Sequence, residues 1–167
     1  MTPFDLTLVH DEGLDPSLPA LERHAVRAVV VRDGAILLMR TADGAVKLPG
    51  GGVDPGESDE AALLREVDEE TGLSVTSVGP LLGTVTERSA ALPDDPMPVF
   101  AQVSRYYRCE VGPGTGRTAL SDAERDLGLA AVWLPLADAL AANQPRLAGS
   151  HRFVRRETRV LELLTEL

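Results

Sequence analysis

Residues 51–73 join a glycine-rich turn to an acidic amphipathic helix, and this pairing constrains the chain more than any other segment. Four carboxylates fall within five consecutive positions of the expected helix: Glu66, Asp68, Glu69 and Glu70. Like charges at such spacing destabilise a helix by about a few tenths of a kcal/mol per pair. A cation bound at this face would turn the repulsion into a binding site, so the segment is a candidate metal site.

The expected helix has clear start and stop signals. Ser58 is a good N-cap, and Asp59 and Glu60 place negative charge in the first turn, where the helix dipole favours anions. Gly72 suits the left-handed position that ends many helices. The helix is therefore predicted to run to about Thr71.

The helical period assigns apolar and acidic residues to opposite faces. Because each residue advances the helix by about 100°, Leu64 lies at the centre of the predicted packed face. Glu66, Glu69 and Glu70 fall on the opposite pole, whereas Asp68 does not. Clustered carboxylate oxygens suit Mg²⁺, with Mn²⁺ as an alternative, better than zinc. A solvated acidic face is the competing interpretation.

Three glycines before the helix favour the metal-site interpretation. Gly50, Gly51 and Gly52 let backbone atoms approach a ligand without interference from side chains. A glycine turn beside clustered carboxylates is a plausible cradle for a metal ion and phosphate groups together.

The whole segment resembles the Nudix box. That pattern is Gly, five residues, Glu, seven residues, then Arg-Glu-apolar-any-Glu-Glu-any-Gly-apolar. All nine specified positions are filled, by Gly51, Glu57, Arg65, Glu66, Val67, Glu69, Glu70, Gly72 and Leu73. Because so many positions match at fixed spacing, the chain is identified as a member of the Nudix family.

The resemblance implies a reaction and a set of metal ligands. Nudix proteins typically hydrolyse nucleoside diphosphates linked to another moiety, and they use divalent cations. Glu57 and Arg65 would hold the ligating carboxylates in place. The implied metal ligands are Gly50, through its carbonyl, and Glu66, Glu69 and Glu70.

The residues assigned to catalysis by the resemblance are Arg65, Glu66, Glu69 and Glu124. A carboxylate must accept the proton of the attacking water. Glu66 is one candidate for this base. Many family members instead carry the base on a loop far along the chain, which favours Glu124 in the acidic segment 121–126. An ordinary loop carboxylate is the alternative for Glu124.

The rest of the pattern predicts an α/β fold. An Asp33-Gly34 pair between two apolar, β-branched runs predicts a hairpin. Further strands are expected at 46–48, 75–78, 82–88, 99–111 and 131–134, and further helices at 136–142 and 150–167. The resemblance implies the Nudix fold, a mixed β-sheet sandwiched between α-helices. A single domain over 1–167 is expected, with an N-terminal arm at 1–23, the box at 51–73 and a C-terminal helix at 150–167.

Composition narrows the class of partner. The formal net charge of −10 disfavours stable binding to nucleic acid. The single cysteine, Cys109, cannot form an internal disulfide, and the sequence shows neither a signal-like start nor an apolar run of transmembrane length. We expect a cytoplasmic protein that takes a small-molecule nucleotide substrate and binds no membrane, with a homodimer left open.

The sequence does not select a substrate. Ser89 stands where many ADP-ribose hydrolases of the family have proline, and Ala90 and Ala91 stand where dinucleoside polyphosphate hydrolases have tyrosine. Two classes stay open: a diphosphohydrolase and a catalytically silent Nudix-fold ligand sensor, with the intact box favouring the first. A row of arginines on the final helix is either a phosphate-facing stripe or a polar face: Arg152, Arg155, Arg156 and Arg159.

Overall fold

The computed structural model describes residues 3–15, 17–149 and 151–165. Within these ranges the elements in chain order are β1 (Phe4–Val9), β2 (Ala20–Val29), β3 (Val31–Arg32), β4 (Ala35–Arg40), β5 (Val46–Lys47), α1 (Asp59–Thr71), β6 (Ser74–Ala90), β7 (Val99–Gly112), α2 (Asp122–Asp126), β8 (Ala130–Pro135), α3 (Leu136–Asn143), a 3₁₀ turn (Gln144–Arg146) and α4 (Phe153–Leu164). In the described part of the chain, no helix is long and apolar enough to cross a membrane.

The strands form two sheets. The first has the order β1-β6-β7-β2, with β1 parallel to β6, β2 parallel to β7, and β6 antiparallel to β7. In the second, β4 pairs antiparallel with β3, β5 and β8. The predicted hairpin is confirmed, because Arg32 lies opposite Ala35 and both turn residues have positive φ, 50° at Asp33 and 77° at Gly34.

The glycine turn before α1 lies along the edge of β2. The amide of Val26 donates to the carbonyl of Gly51 at 2.9 Å, and the amide of Ala28 donates to the carbonyl of Pro49 at 2.9 Å. Gly50 has a φ of 133°, and a β-carbon there would collide with the carbonyl of Val26. Only glycine therefore allows the turn to approach β2 this closely.

Two apolar cores cover the two faces of the first sheet. The core beneath α1 includes Val26, Ala28, Leu63, Val67 and Cys109. The core beneath α4 includes Val29, Val85, Tyr106, Val160 and Leu161. The predicted fold class, a mixed β-sheet between α-helices, is therefore confirmed.

Several predicted boundaries were wrong. The expected arm at 1–23 contains strand β1 and the start of β2, and the segments 75–78 and 82–88 belong to one strand, β6, with irregular register between them. The final helix is shorter than 150–167, since α4 ends at Leu164. Parts of the two predicted segments lie outside the described residues, namely residues 1, 2, 16, 150, 166 and 167. β1 was missed although Phe4, Leu6 and Leu8 alternate with polar residues, the period of a half-buried strand.

The arginine row on α4 is not one polar face. Arg156 is only 3% exposed, while the other three arginines of the row are exposed. Its guanidinium lies 2.5 Å from Oε2 of Glu87 and 2.9 Å from Oε1 of Glu157, and Nε2 of His10 lies 2.9 Å from Oε1 of Glu87. Arg156 thus joins α4 to β6 through a buried ion cluster.

This cluster gives the stability of the fold a defined pH dependence. Burial alone would raise the pKa of Glu87, but Arg156 and His10 together hold it below its ordinary value of 4.5. A carboxylate with a lowered pKa contributes stability above 4.5 that is lost as the pH falls through the folded-state value. We expect Glu87→Gln to remove this component, so that its free energy of unfolding changes less than that of the wild type between neutral and acidic pH.

Urea unfolding at a series of pH values measures the difference. Glu110→Gln, at an exposed position of β7, is the matched control and should follow the wild type. Parallel pH profiles for the wild type and Glu87→Gln would contradict the assignment.

Buried side chains complete the edge of the short strand β5. Asn143 accepts from the amide of Val46 at 2.9 Å and donates to its carbonyl at 3.0 Å. Oε2 of Glu157 accepts from the amide of Leu48 at 2.9 Å. These bonds fix the backbone on both sides of Lys47, the residue of β5 that faces the box.

Candidate functional site

Helix α1 has the predicted caps but a different packed face. The Ser58 hydroxyl accepts from the amide of Ala61 at 3.1 Å, and Gly72 ends the helix with a φ of 71°. Leu64, expected at the centre of the packed face, is 42% exposed, whereas Glu70 is buried with an exposure of 1%. The predicted orientation was therefore wrong, because apolar period alone ignored the polar partners that draw Glu70 inward.

Glu70 lies beneath the glycine turn with both carboxylate oxygens bonded. Oε1 accepts from Nζ of Lys47 at 2.8 Å, and Oε2 accepts from the amide of Gly50 at 2.7 Å. Burial raises the pKa of Glu70, although Lys47 and the Gly50 amide oppose the shift. The carboxylate and its lysine thus form a nearly dry ion pair at the turn.

Arg27, near the end of β2, reaches the same turn. It is 6% exposed, and its Nη1 donates to the carbonyl of Gly50, the expected backbone ligand. Its Nε has no hydrogen-bond partner among the described residues, and neither has the hydroxyl of Tyr106, which lies opposite Arg27 across β2 and β7. Unpaired buried donors are costly, and they are often found at functional sites.

Arg65 gathers the remaining box carboxylates. Its guanidinium makes two bonds to Glu57, at 3.0 and 2.9 Å, and one to the carbonyl of Gly52 at 3.0 Å. Nη1 donates to Oε1 of Glu66 at 2.7 Å and lies 3.6 Å from Oε2 of Glu69. The hydrogen bonds from Arg65 lower the pKa of Glu57 to about 2.

The two groups meet at the glycine turn. A β-carbon on Gly51 would fall on the carboxylate of Glu66, so this carboxylate lies directly against the turn whose other side contacts Glu70. The structure therefore brings together all the residues expected from the box: Gly50, Glu57, Arg65, Glu66, Glu69 and Glu70.

Glu124 also comes to this site, from the start of α2. Its Oε2 accepts from the amide of Ser121 at 2.7 Å and from its hydroxyl at 2.8 Å, which caps the helix. Partial burial alone would raise the pKa of Glu124, but the bonds from Ser121, with Lys47 and Glu70 nearby, lower it. Glu124 is thus placed beside Glu70, and its role as a base stays a prediction.

Sequence reasoning missed Lys47, Arg27 and Arg23. Arg23, four positions before Arg27 on β2, lies against Gly52 and donates to Gln102 at 2.9 Å. A signal existed for two of them: Arg27 interrupts an apolar run, and Lys47 is the only lysine, the other 15 residues of the Lys and Arg count being arginines. Because charged side chains are seldom buried without a partner, a lone charge within a buried strand indicates a specific ion pair or a functional site.

A family model described as the NUDIX domain matches residues 22–156. A MutT-like protein from Streptomyces ambofaciens is 36% identical over 116 residues, which cover 68% of each chain. An ADP-ribose pyrophosphatase from Methanocaldococcus jannaschii is 43% identical over 63 residues. That match covers 35% of this chain and 37% of the relative, so the chain spans little more than a third of that relative's length.

Comparison with solved structures agrees with the sequence match. The crystal structure of a MutT NUDIX hydrolase from Burkholderia pseudomallei superposes with a TM-score of 0.52 at 28% identity. The superposition covers 70% of this chain and 85% of that one.

Proposed function

Because this chain belongs to the NUDIX domain family of hydrolases, we propose that it is a Mg²⁺-dependent diphosphohydrolase. The bond cleaved is a phosphoanhydride in a nucleoside diphosphate linked to another moiety: ADP-ribose, a nucleotide sugar, or a nucleoside triphosphate, intact or oxidised. One observation carries the proposal. The box carboxylates converge on the turn 50–52, each beside a protein cation.

The donor set fits Mg²⁺ or Mn²⁺, which prefer carboxylate and carbonyl oxygens. Two of these oxygen ligands already accept hydrogen bonds from protein cations. Lys47 donates to Glu70 and Arg27 donates to the carbonyl of Gly50, so the expected ligands already attract positive charge. Across the described residues, no three His, Cys, Asp or Glu side chains form a ready-made metal cage. We attribute this to the pairing with lysine and arginine, which a bound cation would have to rearrange.

In such a reaction, different residues of the chain would have different roles. When bound, the cation supplies electrophilic charge for the diphosphate and acidifies water. Arg65 and Glu57 orient the carboxylates that would hold it. The proton of the attacking water goes to Glu66 or to Glu124, the two candidates for the base. The proposed metal ligands are Gly50, Glu66, Glu69 and Glu70.

An anionic substrate needs local positive charge, because the net charge of the chain is −10. Strand β2 supplies Arg23 beside Gly52 and Arg27 beside Gly50, and their spacing places both on one face of the strand. A cavity of about 730 Å³ adjoins Arg23 and Glu57, a volume within the range of ligand pockets. These features support a phosphate-bearing substrate at the turn.

We also propose a cytoplasmic setting with a small nucleotide as the partner. The support is the single cysteine, which cannot form a disulfide within the chain, and the net charge of −10, which disfavours nucleic acid. A homodimer stays open, and light scattering on the purified protein would decide it.

A panel of nucleotides separates the hydrolase from the silent ligand sensor. Each compound is incubated with Mg²⁺, and its products are identified by chromatography, while calorimetry measures binding. We expect turnover of at least one compound, and EDTA should abolish it. Binding of several compounds without turnover of any would favour the sensor and overturn the proposal.

Arg65→Lys should lower kcat/KM by about 10- to 100-fold, because a lysine cannot bridge Glu57, Glu66 and the Gly52 carbonyl at once. The assay is steady-state hydrolysis of the best compound of the panel. Arg155→Lys, at an exposed position of α4, is the matched control and should keep the wild-type value. A loss below about threefold would contradict the orienting role of Arg65.

A further inference from the structure

We propose that Lys47 is the counter-ion that holds Glu70 when the metal is absent, and that a divalent cation must displace it. Competition of this kind weakens metal binding and links it to movement of the Lys47 side chain. The inference rests on the proposed function, since it takes Glu70 as a metal ligand. It goes beyond that function by assigning to Lys47 control of metal affinity.

The contacts of Glu70 show why displacement is required. Its Oε1 is 2.8 Å from Nζ of Lys47, and its Oε2 accepts from the amide of Gly50 at 2.7 Å. The side chain of Glu70 is 1% exposed. Each oxygen already has a donor and water is largely excluded, so a cation that reaches Oε1 must approach against the charge of the ammonium 2.8 Å away. Because the amide of Gly50 belongs to a turn fixed on β2, the lysine is the partner that can leave.

Lys47 can move its side chain but not its backbone. Buried bonds from Asn143 to Val46 and from Glu157 to Leu48 hold the backbone on either side of it. The side chain of Lys47, 13% exposed, keeps some contact with solvent. Lys47 also lies near Glu124, whose pKa it lowers, so a displaced ammonium has a second carboxylate nearby. Displacement is therefore a rotamer change and leaves the fold unchanged.

The chemistry of lysine suits a partner that must leave. The chain contains 16 lysine and arginine residues, and Lys47 is the only lysine among them. A guanidinium forms two parallel bonds with a carboxylate, whereas an ammonium is a compact point charge on a flexible stem. An arginine here would hold Glu70 more firmly than a lysine does. The position paired with the buried carboxylate of Glu70 thus carries a basic residue that releases its partner readily.

Two substitutions at this position should change metal affinity in opposite directions. Mn²⁺ binding to the full-length protein is measured by electron paramagnetic resonance, without substrate. Lys47→Met removes a unit charge beside the site and should lower the Kd for Mn²⁺ about tenfold. Lys47→Arg should raise the Kd severalfold, because the guanidinium competes better. Lys47→Gln repeats the first test with a polar side chain if the methionine variant folds poorly.

A second measurement uses the wild-type protein. Because the chain has one lysine, an amine-acetylating reagent can modify only Lys47 and the N-terminal amine, and peptide mass spectrometry follows the peptide that contains Lys47. Mn²⁺ should speed the acetylation of Lys47 by releasing its ammonium from Glu70. An unchanged or slower rate would overturn the proposal, as would Lys47→Met and Lys47→Arg variants whose affinities change in the same direction.

These outcomes are distinct from failure of the proposed function. If the wild type binds no Mn²⁺ at all, the metal assignment and the hydrolase both fail. If it binds Mn²⁺ and the nucleotide panel shows turnover, but Lys47→Met binds no more tightly, only the role of Lys47 is overturned.

Discussion

Replacing Glu69 with Gln is expected to lower kcat on the order of a thousandfold and to leave the melting temperature almost unchanged. A metal ligand contributes several kcal/mol to the transition state, and about 1.4 kcal/mol corresponds to each tenfold in rate. The side chain of Glu69 is 41% exposed, and its ion-pair partner, Arg65, lies 3.6 Å away. Its loss therefore removes little of the energy that holds the fold. Steady-state hydrolysis and thermal unfolding measure the two effects.

Glu60→Gln is the matched control for this prediction, because Glu60 is an exposed acid in the first turn of the same helix. It should keep the wild-type kcat. Glu70→Gln is a less direct test, since it also breaks the buried pair with Lys47. A Glu69→Gln enzyme with wild-type kcat would remove Glu69 from the metal site.

Arg156→Met is expected to cost about 3–5 kcal/mol in the free energy of unfolding, the largest stability effect we expect from a single side chain here. Arg156 is 3% exposed, and it forms ion pairs with both Glu87 and Glu157. Methionine keeps an apolar stem but removes the guanidinium from both carboxylates in a dry environment, and leaves Glu87 with His10 alone. Because whole domains are stable by only about 5–15 kcal/mol, such a loss is readily measured by urea unfolding.

Arg155→Met provides the comparison, since Arg155 is the exposed neighbour of Arg156 on α4. Its free energy of unfolding should stay within about 0.5 kcal/mol of the wild type. A change of less than about 1 kcal/mol in Arg156→Met would show that the buried cluster does not hold α4 to the sheet.

Local features of this chain were predictable from the sequence. The Asp33-Gly34 hairpin, the Ser58 cap and the end of α1 at Gly72 depend on backbone preferences of single residues and their neighbours. The fixed spacing of the box placed Glu66 and Arg65 near the glycine turn without knowledge of the rest of the fold.

Features set by distant partners were not predictable in this way. The helical period of α1 predicted that Glu70 lies on the face opposite the packed one. Its burial depends instead on Lys47 and on the amide of Gly50. Arg156 looked like part of a polar face because Glu87, its partner, lies far away in the sequence on another element. A charged side chain is buried only where a partner in the tertiary structure pairs with it. The periodicity of apolar residues in the sequence does not reveal such partners.

Hydrolysis in ¹⁸O-labelled water, with Mg²⁺ and whichever nucleotides of the panel the protein binds, tests the central claim most directly. Mass spectrometry of the products reports whether water has attacked phosphorus. The predicted result is one ¹⁸O atom in a phosphate product of the wild type, and none from Glu69→Gln over the same time. Unlabelled products, or equal labelling by the wild type and Glu69→Gln, would contradict the claim that this carboxylate site performs the hydrolysis.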